Sequence, residues 1–183
     1  MARTITVGSA DGSLTLLTGR QGLAGKAGHD LTLTVKNWSG EATLDDSGAL
    51  TELAVSATLA SLEVTKGEGG LKPLSDKDKV TILDQAAKTL QAQKHPLVTF
   101  TMSGTTGGND QQQVTGMATI AGASRPVSAD LTVTRTGQQA RIVGSADVIQ
   151  TAFGIKPYTG MLGALKVRDL VEVRVEVTTT LPD

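Results

Sequence analysis

The stretch VTGMATIAGASRPVSADLTV, Val114–Val133, alternates with a period of two. Val114, Gly116, Ala118 and Ile120 share one face of an extended chain, while Thr115, Met117 and Thr119 share the other. Gly122, Ala123, Ser124 and Arg125 read as a turn. Pro126 has no N–H to give a sheet ladder, so it suits the first position of a second strand. From there Val127, Ala129, Leu131 and Val133 alternate with polar neighbours. The segment predicts an antiparallel hairpin with one apolar and one wet face.

The same pattern extends in both directions. Ser13–Thr18 alternates briefly. In His29–Asp45 the apolar face falls on odd positions at Leu31, Leu33 and Val35 and on even positions at Trp38, Ala42 and Leu44. That parity switch requires a bulge or bend near Lys36–Trp38. Leu50–Leu59 follows, with Val55 on its inner face. Val98, Phe100 and Met102 share one strand face, and Gly104–Gln112 reads as a hairpin loop. Arg141–Ile149 and an unbroken final strand from Val167, on which Asp169 shares the face of the valines, complete the set. Between the strands, Ser75 and Asp78 have capping-box spacing, and Val80, Leu83, Ala87 and Leu90 form an apolar stripe. One α-helix over about 75–93 is expected there, with Lys77, Asp78, Lys79, Asp84 and Lys88 solvated. The fold class is therefore all-β, an eight-stranded antiparallel barrel with one inserted helix, a sandwich being the structural alternative. Residues 1–183 read as one domain.

Four blocks carry a family resemblance. Val114, Gly116, Ile120, Gly122, Ser124, Arg125, Pro126 and Val127 follow V-x-G-x-L-x-I-x-G-x-[ST]-[KR]-P-V. Lys94–Phe100 follows K-[HY]-P-x-x-x-F, Phe153–Ile155 follows F-G-[ILM], and Val167–Val177 follows the closing V-x-D-x-V-x-[IL]-x-[IVF]-x-[VA]. In this order, over Trp38–Thr178, they resemble the YceI-like family of lipocalin-like proteins associated with polyisoprenoids and related long-chain lipids. The resemblance implies a lipid-carrying barrel without catalysis. Thr151 and Ala152 stand where the family usually has Arg and Asp before F-G, and Ala121 where a polar group is common. Gly12–Asp30 lacks the family's H-S-x-V-x-F-x-x-x-H opening.

Composition narrows the alternatives. A net charge of −1 offers no electrostatic case for nucleic acid or for an anionic membrane. With no cysteine there is no disulfide and no thiolate metal site. The opening MARTITVGSA lacks a basic segment followed by an apolar one, so no secretory signal is read and a cytoplasmic setting is expected. His29 and His95 are the two histidines, and neither sits in a cluster with metal-ligand spacing. There is no G-x-S-x-G and no paired acid, so no catalytic residue, metal or cofactor is assigned. His95 reads as a strand-leading residue. His29, in the glycine-rich Gly25–Asp30, reads either as an exposed loop residue or as a head-group contact at a barrel mouth.

Many inward positions are small: Ala57, Gly116, Ala118, Ala129, Gly144 and Ala146. Such a barrel leaves room inside, and the apolar connection after Gln150 reads as its lid or stopper. The candidate cavity and mouth residues are His29, Leu33, Val35, Trp38, Val55, Phe100, Met102, Phe153, Ile155, Tyr158, Met161 and Leu165. The expected ligand is a polyisoprenoid or isoprenoid quinone. A fatty acid or fatty amide, or a filled barrel without ligand, are the alternatives. A homodimer through an exposed strand or the helix face is left open.

Overall fold

The computed structural model describes residues 2–181. Among them are twelve strands and one α-helix: β1 (Arg3–Gly8), β2 (Gly12–Gln21), β3 (His29–Val35), β4 (Trp38–Leu44), β5 (Leu50–Thr58), β6 (Leu62–Gly69), α1 (Asp76–Thr89), β7 (Leu97–Gly107), β8 (Gln111–Ile120), β9 (Ala123–Thr136), β10 (Gln139–Ile149), β11 (Thr159–Gly160) and β12 (Leu165–Thr180). They form one antiparallel, strongly curled sheet in the order β1-β4-β5-β7-β8-β9-β10-β12-β2-β3-β6, with β11 on β12.

The class is as expected, but the strands number twelve rather than eight. The run 29–45 is two strands, because its parity switch falls between buried Val35 and buried Trp38. Strand β1 went unread. So did β6, whose second half, Thr65–Gly69, is polar or glycine, and the two-residue β11.

The leading hairpin is tighter than expected. Ile120 pairs with Ala123, so the turn is Ala121–Gly122, both at positive φ (49° and 79°). That conformation matches the twist of the flanking strands. Pro126 therefore lies inside β9, opposite Met117. Its missing N–H costs no ladder bond, because β10 joins β9 only from Ala129 onward and the other side of Pro126 is a free edge. The Gly104–Gln112 loop shrinks to residues 108–110, since β7 runs to Gly107 and β8 starts at Gln111.

The terminal strands of the sheet, β1 and β6, are not paired with each other among the described residues. The β3–β4 corner is tied instead to the turn between β5 and β6. Lys36 N donates to Ser61 O (3.0 Å), Thr58 N to Asn37 O (2.9 Å) and Asn37 N to Ser61 Oγ (2.9 Å). Beneath this corner one apolar cluster joins Leu14, Leu33 and Val35 to Trp38, Ala57 and Leu59 and to Leu62 and Val64. The aliphatic core thus ties strands that the ladder leaves apart.

Helix α1 covers the side where β5 and β6 separate. Ser75 accepts from Asp78 N and Asp78 accepts from Ser75 N, forming the expected capping box. The expected stripe is only partly right. Leu83, Ala87 and Leu90 meet the turn Leu59–Leu62, but Val80 is 68% exposed. The face toward the barrel interior is Asp78, Thr81, Ile82, Gln85, Ala86 and Thr89, a half-polar row that a hydrophobic count passes over.

Candidate functional site

The inner faces of the strands and this face of α1 enclose a cavity of about 910 Å³. Ligand pockets span roughly 300–1,000 Å³, so this is a large one. Its wall is overwhelmingly aliphatic: Leu14, Leu16, Leu31 and Leu33 from β2 and β3, Val127, Leu131 and Val133 from β9, and Val171, Val173 and Val175 from β12. The space exists because facing positions are small. Gly40, Ala42, Ala57, Ala118, Ala129, Gly144 and Ala146 all lie on the wall. Larger side chains at these places would meet across the barrel and fill it.

Of the side chains named from the sequence, His29, Leu33, Val35, Trp38, Val55, Phe100, Ile155, Tyr158 and Leu165 lie on this wall. Met102, Phe153 and Met161 do not. Met102 has the parity of Phe100 and pairs with Gly116 in regular register, at the last position before the ladder shifts, yet does not line the cavity. Phe153 is buried in a separate cluster with Ala118, Ile120 and Ile155. Met161 stands on a turn at φ 49° and is 60% exposed.

The connection after Gln150 is therefore not a uniform lid. Its first part is pinned: buried Gln150 donates to Arg168 O (2.8 Å), and Thr151 N and Oγ1 donate to Asp169 (2.8 and 2.5 Å). The pairing with β2 shifts register between Val167 and Val171, while burial along β12 keeps the expected alternation there, with Asp169 half-buried between exposed Arg168 and Leu170. Arg125 Nε adds a bond to Ala152 O (2.9 Å). The later part, Tyr158–Leu165, rims one mouth of the cavity.

At that mouth sit the end of β2, the start of β3, the end of β6 and the start of β12. His29 Nε2 and Lys72 O are 2.8 Å apart. Arg20 N donates to Asp30 Oδ1 (2.8 Å), its guanidinium bonds Gly28 O, and it lies 3.8 Å from the Asp30 carboxylate. Lys72, Lys166 and Asp78 complete the polar rim. The Asp78 carboxyl is held below its ordinary value of 3.8 by the Ser75 hydroxyl, then by the Ser75 N–H, against a smaller opposing effect of burial, with the Lys72 and His29 charges helping. At the other end lie Asn109, Gln112 and Arg135, whose Nη2 reaches Gly48 O at 3.4 Å from four strands away.

Arg20, Lys72, Gln85 and Lys166 were not read from the sequence. Arg20 was accessible to it, because the alternation Leu14, Leu16, Thr18 continues to that position. The loop and helix residues carried no such signal. His95 lies against Gly122, and no group of three or more His, Asp or Glu side chains placed to hold a metal ion occurs among the described residues. The indole Nε1 of Trp38 is buried without an acceptor.

A curled antiparallel sheet around one large aliphatic cavity, with a polar rim, places the chain in the class of antiparallel β-barrel folds with an open interior. The YceI-like domain model matches residues 10–179, and the chain belongs to that family. Among solved structures it is similar to BcnA of Burkholderia cenocepacia at a TM-score of 0.70 and 21% identity, covering 94% of this chain and 98% of that one. It is similar to the YCEI protein of Campylobacter jejuni at a TM-score of 0.62 and 19% identity, covering 82% and 85%. At these identities the likeness is one of fold. No curated protein matches the chain. No helix among the described residues is long and apolar enough to cross a membrane.

Proposed function

We propose that the protein binds and carries a long-chain apolar lipid, a polyisoprenoid or isoprenoid quinone, inside the barrel, and performs no chemical step on it. The observation that carries this reading is the cavity of about 910 Å³ with its aliphatic wall. At about 24 cal/mol per Å³, the figure for engineered apolar voids, an empty space of that size scales to about 20 kcal/mol. This exceeds the roughly 5–15 kcal/mol that stabilises a whole domain. The scaling is an upper bound for a cavity native to its fold, and its direction favours a resident guest. The chain of the guest lies along the valines and leucines, and its polar end lies at the mouth, near His29 and Tyr158.

Native mass spectrometry of the purified protein, followed by organic extraction, tests this. The expected result is a mass excess matching an extracted lipid, with repeating isoprene units. Extraction of a fatty acid or fatty amide would keep the carriage but change the guest. Protein of apo mass only, with no extractable lipid, would sink the reading and return the barrel to a structural role.

A further inference from the structure

The five most exposed large apolar side chains among the described residues are Leu162, Leu23, Leu71, Val80 and Met161. Four of them, all but Val80, stand on three loops around one cavity mouth. Ala24 N donates to Ala164 O (2.9 Å), which ties the loop of Leu23 to the loop of Met161 and Leu162. The third loop follows β6: Leu71 lines the cavity beside His29, Gly28 and Ala27, and Gly70 lies against the His29 ring. Leu23 and Leu162 are fully exposed and do not line the cavity. Met161 and Leu162 are both at positive φ (49° and 54°), a costly conformation for residues with side chains. The turn is strained and yet leaves its two apolar side chains facing water.

Charge accompanies these tips. Lys26 and Lys72 lie on these loops and Lys166 at the start of β12; none is within ion-pair distance of an acid among the described residues, although the Lys72 charge acts on Asp78. The nearby acids are engaged: Asp30 with Arg20, Glu68 with Lys66 (2.8 Å), and Asp78 with the Ser75 cap. Lysines beside separate apolar tips are a poor match for a protein interface, whose core is depleted in lysine. They match a surface with phosphates outside and acyl chains beneath.

We infer that this rim docks the protein on an anionic lipid bilayer. Leu23, Leu71, Met161 and Leu162 enter the acyl boundary, and Lys26, Lys72 and Lys166 meet head-group phosphates. The cavity mouth then faces the membrane directly, and a lipid passes between bilayer and barrel without crossing water. The inference rests on the carriage reading above.

Vesicle flotation tests it, with phosphatidylcholine vesicles compared with phosphatidylcholine–phosphatidylglycerol vesicles. The native protein should float with the anionic vesicles. Leu23→Ser combined with Leu162→Ser should weaken this about ten-fold, and Lys26→Glu at least about five-fold. None of these positions lines the cavity, so lipid content by native mass spectrometry should stay unchanged. Native protein that carries lipid but does not float would overturn the docking inference, as would flotation indifferent to all three substitutions. Loss of flotation that requires a second protein, absent from the vesicles, would likewise assign the rim to a protein partner and overturn it. Protein that floats but never carries lipid would instead overturn the carriage reading.

Discussion

Gly116 shows how one residue sets the wall of the cavity. A Cβ at this position would lie 2.3 Å from the backbone oxygen of Thr101 and 2.6 Å from Phe100 Cζ, so the absence of a side chain lets both the β7 backbone and the Phe100 ring approach β8. Phe100 is on the cavity wall and Gly116 is behind it. Gly116→Ala should push the ring toward the cavity and lower stability by about 1–3 kcal/mol, the usual effect of overpacking. Denaturant unfolding checks the first-order cost. Unchanged stability would mean that the ring has another place to go. Thr151 makes a similar point in the opposite sense. It bonds Asp169 through both its N–H and its hydroxyl. The short side chain serves as a clamp between the connection and the last strand.

Among the elements, the helix is the one whose role was hardest to read. Its cap is purely local: Ser75→Ala removes the acceptor of Asp78 N (3.2 Å) and should destabilise the helix by about 1 kcal/mol. Hydrogen exchange should accelerate at the first-turn amides while the β8–β9 hairpin stays protected; equal acceleration in both would show that the cap is not local. The capping box and the strands with strict alternation were legible in the sequence because each depends on residues a few positions apart. The inner face of α1 was not. Thr81, Gln85 and Thr89 face an apolar space, and polar residues there look solvated until the barrel is in place. The second half of β6 was hidden for a related reason, because its polar residues lie at the sheet's terminal strand, paired on one side only with β3. Of the candidate site, the strand positions were recoverable from parity alone, apart from Met102, which keeps the parity of Phe100 but does not line the cavity. Loop positions depend on turns such as Met161–Leu162, which no periodicity encodes.

For the molecule as a whole, stability and occupancy are coupled. A guest that binds only the folded barrel raises its stability by mass action. Stripping the lipid should therefore lower the Tm, and adding the extracted lipid back should restore it. Ala129 and Ala146 face each other across the β9–β10 ladder and both line the cavity. Replacing both with Phe should abolish lipid uptake while leaving a folded protein whose Tm no longer responds to lipid. A double variant that still takes up the lipid would place the guest elsewhere.

The pairing of β2 with β12 brings Gly12 opposite Val177, so the two ends of the chain lie side by side in the wall. During synthesis this wall cannot be completed until the last strand has emerged. Until then β10 and β2 both present open edges, and the inner faces of their neighbours have nothing opposite them. A barrel closed by its most distant partners is slow to form, and the nascent chain passes through a stage in which its greasiest surface is available to other chains. Final assembly thus waits on Leu165–Thr180, which must take its place between β10 and β2 before either edge is covered.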